Sequence, residues 1–204
     1  MQLANTDPSM VSLVTSEVSA SLNRKIEEEL VADTSTWAGM DSLPESAGSS
    51  VTLGTTNPDS ISVSSLVEAL NKLPSYANPA NCILVMNQTT LFDLQLSLDS
   101  DGRPTMSSDY TASAASGLWS PRLLGMPVVT SGFMTGTADG ASAGKTVALI
   151  VDTTAVKCFR TIATLRSSTL PSFENNVLSI GALIGWLNVV TDSARVVKVV
   201  TAAS

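Results

Sequence analysis

The sequence contains no histidine, and charged residues make up only 14% of its 204 residues. Without imidazole, the chain has no Ser-His-Asp or Cys-His nucleophile, no histidine zinc ligand and no imidazole proton shuttle. Any enzymatic hypothesis must therefore use carboxylates or lysine. Charged residues usually form about a quarter of a soluble chain. A chain this poor in charge is expected to cover much of its surface by associating with copies of itself.

Cysteine and basic charge are also scarce. Cys82 and Cys158 are the only cysteines, and each lies in an apolar, β-like run. We expect two buried thiols in a reducing compartment rather than a disulfide. The formal net charge of −7 argues against a dedicated nucleic-acid binder. The apolar run 177–190 is shorter than the ~20 residues that span a bilayer, so it predicts one long buried strand and no membrane association.

Hydrophobic periodicity predicts one long helix over about residues 8–32. Asp7-Pro8 has the N-cap and first-turn proline that commonly begin a helix. Apolar side chains then recur every four residues along one face, at Val14, Val18, Leu22, Ile26 and Leu30. The acidic run 27–29 lies mostly off this face. We expect it to be solvated or to contact a neighbour, because consecutive helical residues point about 100° apart and do not converge on one ion.

The rest of the pattern predicts a helical first half and a β-rich second half. Residues 33–62 read as a loop-rich linker in which Trp37 and Met40 pack back on a core. A long polar excursion at 99–122 is of a length that is usually functional. The predicted elements are helices at 63–73 and 87–98, and strands at 82–86, 126–130, 146–151, 157–165, 177–190 and 196–201. This order indicates an α+β protein.

Two short stretches have part of a ligand-binding pattern. Residues 139–146, "DGASAGKT", end like a phosphate loop, but the first glycine is out of place and the stretch opens a predicted strand. Residues 99–102 begin like a calcium loop but lack its sixth-position glycine and closing glutamate. An acid–base pair is the other enzymatic alternative, although solvated loop positions explain its carboxylates better (Asp93, Asp99, Asp101 and Asp109). We expect no catalytic residue, no metal site and no cofactor.

Four stretches, in order, carry a resemblance to one family. They are the helix at 8–32 leading into "DTSTWAGM", the segment "ILVMNQTTLFDLQLSLDSDGRPTM" (83–106), the corner "LLGMPVVTSGFM" (123–134) and "LPSFENNVLSIGALIGWLNVV" (170–190). Together they resemble the major capsid proteins of tailed bacteriophages, which have the Hong Kong 97 (HK97) fold. The resemblance implies an α+β, HK97-like fold with a long spine helix, an axial domain and a peripheral domain.

The resemblance also implies a domain division and a role. Residues 1–33 and 154–189 would form the peripheral domain, and residues 34–153 and 190–204 the axial domain. The chain would be a structural protein of a virion, the head subunit of a phage or prophage, and not an enzyme. It would assemble in the bacterial host cytoplasm into pentamers and hexamers of an icosahedral shell. Its partners would be its own copies, a scaffolding or portal protein and nonspecifically packaged DNA.

In this family the axial loop packs around the symmetry axes, so the resemblance implies a subunit interface in the excursion 99–122 and the corner that follows. Gly125 is expected to allow close backbone approach, and Pro127 to set the turn into the next strand. The interface candidates are Asp99, Asp101, Arg103, Tyr110, Trp119, Arg122, Phe133 and Met134.

The sequence departs from the family pattern at its start. About seven residues precede the predicted spine helix, whereas the family normally has an N-terminal arm and an extended loop there. We therefore expect no covalent crosslinking through that loop and weak or absent closed-shell assembly by this chain alone. The alternatives are an encapsulin-type compartment shell protein within the same fold and, outside it, a nucleotide-binding or carboxylate-based enzyme.

Overall fold

Two units make up the chain, as seen in a computed structural model. One contains residues 1–28 and 158–187, and the other contains residues 29–157 and 188–204. The structure describes residues 8–37, 40–54, 61–97, 122–136, 144–161, 164–169, 178–183 and 186–202.

Three helices are described, and each begins within one residue of its predicted start, while the predicted N-cap of the first, Asp7, lies outside the described residues. Helix α1 spans Pro8–Val31, α2 spans Val63–Asn71 and α3 spans Gln88–Leu96. Helix α2 starts with a capping box in which Ser62 and Ser65 each bond the other's backbone N–H. At the start of α3, the Asn87 side chain accepts from the N–H of Thr89 at 3.0 Å. Each cap satisfies an N–H that has no partner within its helix.

A six-stranded mixed sheet organises the larger unit. Its strands are β1 (Ser49–Thr52), β2 (Cys82–Met86), β3 (Arg122–Leu123), β4 (Met126–Thr130), β5 (Thr146–Asp152) and β10 (Val196–Val200), in the spatial order β1-β10-β5-β2-β4-β3. Strand β5 is antiparallel to both of its neighbours, β10 and β2. The outer pairs β1–β10 and β2–β4 are parallel. The predicted strands 82–86 and 126–130 are confirmed without change.

Both faces of this sheet are apolar, so both have to be covered. All seven residues of β5 are buried, which explains its continuous run of apolar side chains. On one face, Leu66, Leu91 and Leu94 from helices α2 and α3 pack with Leu84 and Ile150 in a first core cluster. On the other face, Leu149 and Val85 pack with Val31, Leu43 and Met134 in a second core cluster. Met40 is buried, as the sequence predicts, while Trp37 is half-buried.

The other strands form two small ladders. Strand β6 (Val156–Arg160) pairs with β9 (Trp186–Val190), and β7 (Thr164–Thr169) pairs with β8 (Leu178–Leu183). The predictions of single strands at 157–165 and 177–190 are therefore wrong, because each run is divided between two ladders. The prediction of continuous burial also fails for β9, since Leu187 and Val189 are exposed. A two-stranded ladder leaves alternate side chains on an open face.

The end of α1 is held in the larger unit by carboxylates. Glu29 is buried and accepts hydrogen bonds from Ser35 Oγ and from the N–H and hydroxyl of Thr36. Glu45 accepts from the N–H groups of Ser35 and Ser42 at 2.8 and 3.0 Å. The expectation of a solvated acidic run is thus wrong for Glu29, because the loop after α1 turns back over it and supplies its donors.

The two cysteines occupy different environments. Cys82 is buried, and burial together with the nearby Asp152 carboxylate raises the pKa of its thiol. Cys158 is exposed on β6, so the expectation of two buried thiols is correct for Cys82 alone. An apolar run predicts burial only when both of its faces are covered, and β6 has a single neighbouring strand.

A core substitution tests the central position of β2. Leu84 is fully buried, so Leu84→Ala removes apolar contacts and leaves a cavity. We expect the free energy of unfolding to fall by about 2–5 kcal/mol, measured by urea denaturation followed by circular dichroism. Val67→Ala on the exposed side of α2 is the control and should change it by no more than about 0.5 kcal/mol. A loss below about 1 kcal/mol for Leu84→Ala would contradict the described packing.

The Glu45 contacts predict a pH effect. Its two backbone hydrogen bonds hold the pKa of the carboxyl below the ordinary value of 4.5. A group whose pKa is lower in the folded state stabilises the protein above the unfolded pKa, and this contribution is lost as the pH falls through the folded pKa. We expect Glu45→Gln to destabilise the protein at pH 7 and to have a diminishing effect below pH 4.5, as measured by thermal unfolding across this range.

Glu17→Gln is the matched control because it makes the same charge change at an exposed position on α1. It should leave the unfolding temperature nearly unchanged at each pH. An equal loss of stability for Glu45→Gln at neutral and acidic pH would argue that the amide disturbs the loop sterically.

Candidate assembly surface

The corner in the sequence at 123–134 is a tight β-hairpin at the edge of the sheet. Strands β3 and β4 pair antiparallel, with Leu123 opposite Met126 and Arg122 opposite Pro127. Only Leu124 and Gly125 connect them, and both have positive φ, at 51° and 81°. This combination is typical of a type I′ turn, whose twist matches that of the strands on either side. We call residues 122–130 the edge hairpin.

Gly125 is required by its backbone conformation. A Cβ added there would meet nothing within 4 Å, so the expectation of close backbone approach is wrong, and its positive φ explains the glycine. Pro127 lies inside β4 and not in the turn. The parallel ladder with β2 begins one residue later, at Val128, so the missing N–H of proline interrupts no pair of that ladder.

Leu124 is the strained residue of the turn. A non-glycine side chain at positive φ is crowded by its own backbone and costs roughly 1–2 kcal/mol. Asparagine, aspartate and glycine are preferred at this position of a type I′ turn. Leu124 is nevertheless 41% exposed, whereas the flanking Leu123 and Met126 are buried in the first core cluster.

The segment after the edge hairpin turns back towards α3. The N–H of Ser131 donates to the carbonyl of Met86 at 3.0 Å, and Asn87 Nδ2 donates to the carbonyl of Met134 at 2.7 Å. Met134 is only 3% exposed and belongs to the second core cluster, against which half-buried Phe133 also packs. The expectation that Phe133 and Met134 contact a neighbour is therefore wrong for Met134, because the fold buries its side chain internally.

The remaining interface candidates divide into one described residue and five others. Arg122 is exposed on the two-residue edge strand β3. The other five lie outside the described residues, namely Asp99, Asp101, Arg103, Tyr110 and Trp119. Leu124 was not among the interface candidates predicted from the sequence. The signal for it is the Leu-Gly pair between two apolar stretches, because a two-residue hairpin there would require positive φ.

The "GKT" stretch has a structural role in the part that is described. Gly144 has φ 75°, and Thr146 begins β5. The Lys145 ammonium lies 3.4 Å from a carboxylate oxygen of Asp33, and the other oxygen of Asp33 accepts from the N–H of Thr146 at 2.9 Å. These contacts tie the start of β5 to the loop after α1. The chain enters a strand here, whereas a phosphate loop opens a helix.

A charged cluster holds the other end of β5. Arg195 Nη1 lies 3.4 Å from Oδ2 of Asp152, which is 1% exposed, and Arg195 Nε lies 3.3 Å from Asp192. The guanidinium also stacks over the Tyr76 ring at 5.0 Å. The Tyr76 hydroxyl donates to Asp192 at 2.9 Å, and this hydrogen bond raises the pKa of the phenol. The cluster joins β5, the start of β10 and the turn before β2.

In the ranges given above, no three His, Cys, Asp or Glu side chains are placed to hold a metal ion. Nor does any helix in the described part of the chain have the length and apolar character needed to cross a membrane.

Comparison with known proteins identifies the family. The model of the phage capsid family matches residues 2–180. The chain belongs to the phage capsid family. It is therefore a structural protein of a virion capsid, a major capsid subunit, and not an enzyme. Membership in this family favours the capsid over the encapsulin-type shell and over both enzymatic alternatives. No curated protein sequence matches the chain.

Solved structures show the same fold at low sequence identity. A structure titled Gordonia phage Cozz is 19% identical, with a TM-score of 0.62 over 100% of this chain and 68% of that chain. The capsid of an empty GTA particle, computed with C5 symmetry, is 17% identical, with a TM-score of 0.65 over 98% and 69%. Mycobacterium phage Bobi is 14% identical, with a TM-score of 0.60 over 99% and 68%. The predicted α+β, HK97-like capsid fold is confirmed.

The charged cluster gives a testable prediction. Arg195→Met would leave the buried Asp152 carboxylate without its cation, and we expect a loss of about 2–3 kcal/mol of unfolding free energy. Urea denaturation of the wild type, Arg195→Met, Asp152→Asn and the double variant completes a double-mutant cycle. The double variant should lose at least about 0.5 kcal/mol less than the two single losses combined.

The control is Lys25→Met, which removes an exposed ion pair with Glu28 on α1. Such pairs contribute only about 0–1 kcal/mol. Additive losses at Arg195 and Asp152 would contradict the proposed coupling.

Proposed function

We propose that this capsid subunit assembles into pentamers and hexamers of an icosahedral phage or prophage shell that encloses DNA. The observation that carries the proposal is the phage capsid family match over residues 2–180. The C5 symmetry of the GTA particle capsid with the same fold supports rings of five. In a ring, subunits contact each other head to tail, so two different patches of the subunit meet at every contact.

The composition supports the same role. Only 14% of the residues are charged, so few charges are available to keep copies of the chain apart at high concentration. Several large apolar side chains of the described part are exposed, including Leu96, Tyr76 and Phe159. Burial against further copies would remove such side chains from water, which is the main favourable term in protein association.

The two units are proposed to be the peripheral and axial domains. The smaller unit contains most of α1 and the ladder β7–β8, and the larger contains the six-stranded sheet. The boundaries inferred from the resemblance differ from those of the two units by only a few residues at each junction. The axial loop within 99–122 and the edge hairpin are proposed to form the ring interface.

The proposed partners follow from the role. DNA would be held nonspecifically and from the inner face, because a net charge of −7 disfavours tight phosphate binding. A scaffolding or portal protein would act during assembly in the bacterial host cytoplasm.

Assembly can be measured directly. We expect the purified chain to form rings of five or six subunits as its concentration and macromolecular crowding increase, because the contact surface is repeated on every copy. Mass photometry would count subunits, and negative-stain electron microscopy would show ring symmetry. Monodisperse monomers under every condition would contradict the proposal.

A further inference from the structure

The edge hairpin combines two features that oppose the stability of an isolated subunit. Leu124 has a positive φ of 51°, and its apolar side chain is 41% exposed. A type I′ turn is normally made by Asn-Gly, Asp-Gly or Gly-Gly. These residues tolerate positive φ and have no large apolar side chain to expose to water. Backbone strain of this kind persists where the surrounding structure or a function requires it.

The core of the chain does not account for leucine at this position. Leu123 and Met126, on either side of the turn, are the residues of the hairpin that enter the first core cluster beside Val128. Among the described residues, Leu124 belongs to neither core cluster. The core clusters of the described residues therefore give no reason for an apolar side chain at the tip.

The surface beside Leu124 is also apolar. Successive side chains of a strand point to opposite faces, so Pro127 and Val129 lie on the face opposite to buried Met126 and Val128. Val129 is 48% exposed and Pro127 is partly exposed. Arg122 is directly opposite Pro127 in the ladder and is also exposed. An apolar strip with one cation thus runs along the edge of the sheet.

We propose that Leu124 is the apolar anchor by which the edge hairpin docks on a neighbouring copy of this chain in a ring. The inference rests on the proposed function and adds a specific contact residue to it. A second copy fits the strip because members of this family assemble into capsids, and because Arg122 would face a chain with a net charge of −7. A few residues that become fully desolvated near the centre of an interface commonly carry most of its binding energy.

Two substitutions at the tip separate folding from docking. Leu124→Asn and Leu124→Gly both suit a type I′ turn and remove the apolar side chain. If the side chain serves docking, each variant should raise the melting temperature of the dilute monomer by about 2–4 °C. Each should also raise the protein concentration at half-maximal ring formation by about tenfold or more. A more stable monomer that assembles less readily is not expected if the residue only supports the fold.

The matched control is Val67→Thr on α2, since Val67 is also 41% exposed. Differential scanning fluorimetry gives the melting temperatures, and mass photometry over a concentration series gives ring formation. The control should form rings at the wild-type concentration.

The outcomes distinguish the inference from the function on which it rests. If the wild type forms rings and both tip variants form them at the same concentration, Leu124 is not the anchor, while ring assembly stands. If the tip variants melt lower than the wild type and assemble poorly, leucine serves the fold and the inference is overturned. If the wild type forms no rings, the proposed function fails, and the inference fails with it.

Discussion

The complete burial of β5 is the constraint on which the larger unit depends. Its seven residues lie between β10 and β2 with no face open to water. Both sides of the sheet must therefore be covered, by α2 and α3 on one face and by the end of α1 with the loops at 40–47 and 131–136 on the other. Segments far apart in the chain are held together because they all cover the apolar faces of the sheet around this one strand.

Two groups of polar contacts in the larger unit lie at the two ends of the same strand. At its start, Asp33 binds the backbone of Thr146 and faces Lys145. At its end, Asp152 accepts from Thr154 and faces Arg195, which stacks on Tyr76. Buried or half-buried charges are tolerated in pairs that also satisfy their hydrogen bonds. Both ends of β5 are thereby tied to other segments of the larger unit.

A fully buried central strand and a strained turn at the sheet edge suit a shell subunit. A subunit that packs against copies of itself needs surfaces that are already shaped before contact, because ordering a loop during binding reduces affinity. The two-residue turn at Leu124 and Gly125 leaves the hairpin little freedom. The subunit has a structural and not a catalytic role. The absence of histidine from the sequence agrees with that role.

Local signals in the sequence determined the helices, their caps and the strands at 82–86 and 126–130, because capping groups and short apolar runs act over a few residues. The motif order determined the family. Only the tertiary structure decided that Met134 and Glu29 are buried, that Cys158 is exposed and that the run 177–190 serves two ladders. Periodicity shows which face of a segment is apolar, but it does not show what covers that face. The strain at Leu124 likewise arises from strand pairing, which no local pattern specifies.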